Sequence, residues 1–284
     1  MSGVLGGAAG LAVLLGAGAL LASAIYFVGI WRDAVRPARR TMGWALARGI
    51  PGHPEELGLV TQERTVRCAG QPVPAWFVQG RGGSDAPAVV FLHGHGRSRW
   101  DSLRRIGPWT DRAWLLVLPD LRGHGEAPGR STLGRREPAD IAALLAEIDA
   151  LRPGSPVILV GHSLGAVIAI HVAAAREAAG APLAGVHAYG PYERVRTPFE
   201  ARLRARGLPT RPFSDGVIAL VARLDGPEIA TSVAAARLAA TPLEVTADAG
   251  DAISPPQEAR DIAQAAPRGR FHCTTGVAHG DLGV

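Results

Sequence analysis

The residues that can do chemistry here fall in one order along the chain: a serine between glycines, then carboxylates, then a histidine near the C-terminus. Ser163 stands in Gly161-His162-Ser163-Leu164-Gly165, after the apolar run 157–160 and at the start of a helical stretch. A strand-to-helix turn of that tightness needs small residues around the serine. It presents the hydroxyl at a helix N-terminus, where free N–H groups and the helix dipole favour developing negative charge. A serine hydroxyl is a weak nucleophile until a base takes its proton, and that base needs an acid to hold it in the right tautomer. Candidates for both partners lie downstream of the serine. His279 follows a predicted last strand at 270–274 and is the base on this reading. Two aspartates, Asp248 and Asp251, follow the apolar run 242–247 and stand where the acid belongs.

Such side chains need a rigid frame. Continuous apolar runs at 88–92, 114–118, 157–160, 183–189 and 242–247 alternate with helical apolar spacing at 141–151 and 164–175. Strands that are apolar throughout are covered on both faces, so the spacing predicts a doubly wound, mostly parallel α/β sheet. Residues 65–69 and 73–79 read as a hairpin across the turn Ala69-Gly70-Gln71-Pro72. The alternation breaks at 191–236, an Arg-rich, Pro-punctuated insert with a predicted helix around 217–224. An insert there sits over the C-terminal edge of the sheet, where ligand sites of such folds lie, and is expected to form a small cap. Phe199, Leu203, Leu208, Phe213, Ile218 and Leu220 are its candidate pocket residues. Arg194, Arg196, Arg202, Arg204 and Arg206 form either a solvated helix face or a contact for anionic groups.

Further segments carry a resemblance. Phe91-Leu92-His93-Gly94-His95-Gly96, Asp120-Leu121-Arg122-Gly123-His124-Gly125, the Ser163 box, Asp251-Ala252-Ile253-Ser254-Pro255-Pro256 and Ala278-His279-Gly280 occur in that order. Over residues 63–284 the chain resembles the α/β-hydrolase superfamily, and most of all its membrane-anchored bacterial serine hydrolases with a short cap. The resemblance implies a Ser163–Asp251–His279 triad. It implies an oxyanion hole from the backbone N–H groups of Leu164 and His95, with the His95 side chain a bystander. His93, His124 and His162 fall on structural motif positions.

The departures from the pattern leave questions open. Asp248 stands where the family usually has glycine, three residues before the acid, and is therefore a rival acid; Glu193 is a remoter one. The sequence runs five residues past His279, where the pattern would continue into a helix, so the His279 loop is expected to be loosely held. The site predicts hydrolysis of an acyl ester or thioester through an acyl-enzyme. An acyltransferase or amidase using the same nucleophile, or a catalytically silent, membrane-tethered binding domain, is the alternative. No cofactor and no metal are expected, since no histidine–carboxylate cluster has zinc-site spacing. The expected partner is a small-molecule or lipid-like acyl substrate.

The N-terminal segment sets the location. Residues 3–31 contain no charged side chain, and about 20 apolar residues suffice to cross the hydrocarbon layer. Tyr26 and Trp31 close the run, and Arg32, Arg36, Arg39 and Arg40 follow. That flank predicts a single-pass anchor with the hydrolase domain in the cytoplasm. The alternative is secretion after cleavage near Ala24, in the A-x-A-like Ala22-Ser23-Ala24, although no Lys or Arg precedes the run. Gly6 and Gly10 have helix-pairing spacing. The organisation expected is an anchor at 1–31, a juxtamembrane linker at 32–60, and the hydrolase domain at 61–284. Within the linker, residues 36–49 are read as a short amphipathic helix on the lipid surface or as plain chain. The chain has no lysine, so its pI of about 10.1 reflects arginine alone on a net charge of only +5. Its basic residues form no long run, so nucleic-acid binding is not expected. Cys68 and Cys273 read as two small buried apolar residues, not as a disulfide.

Overall fold

The computed structural model describes residues 2–68 and 71–284, with residues 2–12 described by their backbone alone. Its strands are β1 (Thr61–Cys68), β2 (Gln71–Gln79), β3 (Ala88–Leu92), β4 (Leu115–Pro119), β5 (Val157–His162), β6 (Gly185–Tyr189), β7 (Leu243–Asp248) and β8 (Gly269–Thr274). The helices are α1 (Ser2–Val35), α2 (Met42–Leu46), α3 (Arg99–Leu103), α4 (Glu137–Leu151), α5 (Leu164–Ala178), α6 (Arg196–Ala205), α7 (Phe213–Asp225), α8 (Thr231–Ala235) and α9 (Pro256–Ala265).

The strands make one sheet in the order β1-β2-β4-β3-β5-β6-β7-β8. The pairings from β4 to β8 are parallel, and β1 and β2 add an antiparallel edge. The doubly wound, mostly parallel sheet read from the apolar runs is therefore present. Every residue of β3 is buried, and its side chains divide between the two faces. Ala88, Val90 and Leu92 enter the core under α4, α5, α8 and α9, whereas Val89 and Phe91 join Trp76, Trp100 and Leu116 on the side of α2 and α3. A strand buried on both faces has no polar face to show, which is why it reads as a continuous apolar run. β1 pairs with β2 in a register that sets Cys68 opposite Gln71; Cys68 is buried as expected, whereas Cys273 is exposed because β8 is the edge strand of the sheet. Of the expected turn at 69–72, Gln71 and Pro72 belong to β2, paired with Cys68 and Arg67, and residues 69 and 70 lie outside the described residues.

The insert forms α6, α7 and α8. A third apolar cluster joins α6 and α7 to the end of α1, through Ile30, Ala34, Val35, Leu203, Val217 and Val221. Helix α1 does not stop at Trp31 but runs to Val35, and Val13–Val35 is long and apolar enough to cross a membrane. Its two halves differ. Leu14, Leu20 and Ile25 are exposed, whereas Ile30, Ala34 and Val35 are buried against the cap. The Tyr26 ring packs edge-on against Phe213 at 4.8 Å, and the Tyr26 hydroxyl donates to the Pro209 carbonyl. Gly6 and Gly10 fall in the stretch whose side chains lie outside the description. In the linker, the helix α2 is only five residues long; its Ala45 is buried and Trp44 packs on the core, while Met42 and Leu46 face outward.

Candidate active site

The last residue of β5 leads directly into Ser163, which caps α5 with φ 54° and ψ −115°. That backbone is strained for a residue with a side chain. It persists because the strand and helix meet too closely for any other path. A Cβ on Gly161 would stand 2.4 Å from the Gly165 carbonyl oxygen, and one on Gly165 would stand 2.0 Å from the Leu92 oxygen. The glycines are required by the packing of β5, α5 and β3, and Ser163 is left at the tip of the turn. A Cβ on Gly94 would lie 3.3 Å from that of Ser163, so the segment after β3 runs directly past the serine.

The two aspartates after β7 have different work. Asp251 Oδ2 accepts from His279 Nδ1 at 2.6 Å. Its Oδ1 accepts from the N–H groups of Ile253 and Ser254 at 2.8 and 3.0 Å. A carboxylate only accepts, so Nδ1 carries the proton and Nε2 presents its lone pair. Asp248 does not reach the imidazole. Its oxygens accept from the Gly250 N–H at 2.9 Å, the Val277 N–H at 2.8 Å and the Thr274 hydroxyl at 3.1 Å. The Val277 and Gly250 hydrogen bonds hold its carboxyl below the usual carboxylate range. Asp248 thus ties the loop after β7 to the loop that carries His279. Glu193 caps α8 instead, accepting from the Ser232 N–H and hydroxyl.

His279 reaches Ser163 through its neighbour. His162 Nε2 donates to the His279 carbonyl at 2.6 Å, and the two rings lie 5.0 Å apart. Ser163 Oγ and His279 Nε2 are both buried and, among the described residues, neither has a hydrogen-bond partner. Such bonds are often long before a substrate is bound. The segment beyond His279 is held by a residue that the sequence reading missed. Buried Arg105 donates to the carbonyls of Gly280 at 2.7 Å and Leu282 at 3.0 Å, and pairs with Asp101 at 3.0 Å. The only trace of this in the sequence is the i, i+4 spacing of Asp101 and Arg105, which says nothing about a partner some 175 residues away. The expected looseness of the His279 loop is therefore not what the contacts describe.

His95 and Leu164 flank the serine from two sides, one in the segment after β3 and one at the start of α5. The His95 ring turns away, and its Nε2 donates to the Ala34 carbonyl of α1 at 2.8 Å. Burial, with His124 and Arg202 nearby, pushes its pKa down to about 3, so the ring is neutral. His93 bridges the Gly94 carbonyl and the Leu121 N–H at 2.9 and 3.0 Å, and so ties the segment after β3 to the loop after β4. Burial likewise holds the imidazoles of His93, His124 and His162 below their ordinary value.

The model of the alpha/beta hydrolase family matches residues 89–280. The chain belongs to that family. Among curated proteins, lipase LipV of Mycobacterium tuberculosis is 38% identical over 104 residues, 35% of this chain and 36% of that one. The magnesium-chelatase 30 kDa subunit of Rhodobacter capsulatus is 32% identical over 101 residues, 34% of each chain. Mouse protein phosphatase methylesterase 1 is 31% identical over 103 residues, 34% of this chain and 25% of that one. The chain thus spans about a third or less of the length of these relatives. Among solved structures, an esterase of Pyrococcus furiosus superposes with a TM-score of 0.67 at 18% identity, covering 87% of this chain and 90% of that one. A thermophilic esterase of Thermogutta terrifontis does so at 0.55 and 19% identity, covering 77% and 92%. At such identities the likeness is one of fold.

Proposed function

We propose that this α/β hydrolase cleaves acyl esters or thioesters, with Ser163, His279 and Asp251 as its triad. The observation that carries the reading is the hydrogen bond between His279 and Asp251 beside a strained, unpartnered serine. His279 Nε2 takes the Ser163 proton as Oγ bonds to the acyl carbon. The oxygen that becomes negative accepts from the N–H groups of Leu164 and His95, each such donor contributing about 3–4 kcal/mol in the transition state. As the tetrahedral species collapses, the acyl C–O or C–S bond breaks and His279 returns the proton to the departing alcohol or thiol. Water then attacks the acyl-enzyme, giving its proton to His279, and collapse releases the acid and restores the Ser163 hydroxyl. Asp251 stays ionised and holds the imidazolium throughout. The names of the relatives, lipase and methylesterase, agree with ester cleavage. A fluorophosphonate probe should label the wild-type protein and not Ser163→Ala, which should also lose about 10⁴-fold or more in turnover. Labelling that persists in the variant would place the nucleophile elsewhere.

The chain is read as anchored by α1 with its hydrolase domain in the cytoplasm. The support is an apolar run of spanning length followed by arginines, each costly to translocate. An alkaline phosphatase fusion at the C-terminus should be inactive. Activity there would overturn the orientation.

A further inference from the structure

A cleft of about 250 Å³ lies between α1, α6 and the segment after β3. Ile30 and Ala34 of α1 and Phe199 and Leu203 of α6 give it apolar walls, and His95 and Gly96 close it on the side nearest the serine. Pro37 and Ala38 add to the apolar lining, and the rest of the wall is charged. Arg40, Arg202 and Arg206 line it with a single carboxylate, Asp33. Asp33 is already paired with Arg206 at 3.3 Å.

Arg202 stands apart from the other arginines of the cap. Arg196 pairs with Glu200 and Asp215, Arg204 pairs with Glu200, and Arg206 pairs with Asp33. Arg194 is exposed. Arg202 is half-buried in the cleft, and no carboxylate among the described residues lies within ion-pair distance of it. Burial pulls its pKa down, Tyr192 and Asp251 pull it back up, and Arg97 and Arg206 add to the lowering. A guanidinium withdrawn from water without an anion is costly. Its planar fork of donors matches the oxygens of a phosphate or carboxylate. Apolar walls around an unpaired guanidinium select a ligand with an anionic group on an apolar chain.

We propose that this cleft is the anion subsite of the enzyme, so that its substrates are esters carrying a phosphate or carboxylate on an apolar chain, the anion held by Arg202. The inference rests on Ser163 as the nucleophile, which Gly94 touches and from which the chain runs on through His95 and Gly96 into the wall of the cleft. The anion has two possible sources, the headgroup of a membrane lipid or a soluble ester, because the walls include the emerging end of α1.

Binding tests the subsite without requiring turnover. The full chain carrying Ser163→Ala, in dodecyl maltoside micelles, is titrated by calorimetry with octyl phosphate, octyl glucoside and inorganic phosphate. Octyl phosphate should bind, and Arg202→Gln should weaken it by about 10-fold or more, the range of a charge-assisted hydrogen bond. Arg202→Lys should restore part of the loss, and Arg204→Gln should change nothing. Octyl glucoside binding should not depend on Arg202. Inorganic phosphate binding with the same Arg202 dependence supports a soluble source, whereas a requirement for the octyl chain supports a lipid-like one. Equal octyl phosphate binding by the parent and Arg202→Gln, or no binding of either phosphate, overturns the proposal. A protein that binds octyl phosphate through Arg202 yet takes no fluorophosphonate before Ser163 is replaced would lose the proposed activity and keep the subsite.

Discussion

The ends of β5, β7 and β8 and the cleft between α1 and α6 meet across the segment after β3, yet they handle charge in opposite ways. On the first side, the polar groups are buried and held by backbone. Asp251 and Asp248 each accept from two N–H groups, and His93 and His162 bond to main-chain atoms. On the second side, charges meet charges on exposed or half-exposed side chains, as in Arg196 with Asp215 and Arg206 with Asp33. Backbone-held groups are fixed in place before a substrate arrives, as reaction chemistry demands. Side-chain pairs are adaptable, as recognition allows. The two sides should therefore respond to different perturbations.

The largest contrast lies within the first side. Asp251→Asn should lower kcat by about 10⁴-fold, because the amide presents the wrong partner to Nδ1 and favours the wrong tautomer. Asp248→Asn should cost far less, since it loosens the loop bearing His279 without touching the ring. Measured kcat values for both variants decide this, and a reversed order would exchange the acid and the loop tie.

Acid should distinguish the two sides next. His93, His124 and His162 are almost wholly buried, and burial lowers their folded pKa. The unfolded chain takes up protons near pH 6.5 while the folded one does not, so stability is full above that pH and is lost as pH falls below it. Each such histidine contributes up to about 1.4 kcal/mol per pH unit. The melting temperature should fall steeply from pH 6.5 to 5, and a flat profile over that range would break the contrast. The smallest effect belongs to the cap. Arg196→Gln removes pairs made by a half-exposed arginine, and buried Glu200 keeps Ser214 and Arg204 as partners, so the change should cost less than about 1 kcal/mol by denaturant melts, with the difference shrinking in high salt.

The same contrast explains what the sequence made legible. The segments that carry Ser163, Asp251 and His279 were legible because they follow strands: Ser163 directly after β5, and Asp251 and His279 in the loops after β7 and β8. The glycines at 161 and 165 are local signals, and so are the continuous apolar runs of β3 and β4. Arg105 and Arg202 were not legible in their roles. What singles out Arg105 is a pair of carbonyls some 175 residues on, and what singles out Arg202 is that, half-buried, it has no carboxylate at ion-pair distance among the described residues, whereas Arg196, Arg204 and Arg206 each have one. The bounds of α6 were not legible, because the Arg-rich composition and Pro198 mask its apolar stripe. The end of α1 was set at Trp31 because the charged flank begins at Arg32, whereas the helix runs on to Val35 and packs its end against the cap.

That docked end has a consequence for the two fates read for the N-terminus. The contacts with the cap and with His95 begin at Tyr26 and run through Val35. A cut near Ala24 would remove the exposed half of α1 and leave this seam whole, so the released and the tethered forms would carry the same cleft. A truncation at residue 60, which removes everything before the sheet, would instead strip Ile30 and Ala34 from its wall and take away the carbonyl that His95 holds. The smallest unit that retains the whole site therefore starts in the middle of α1.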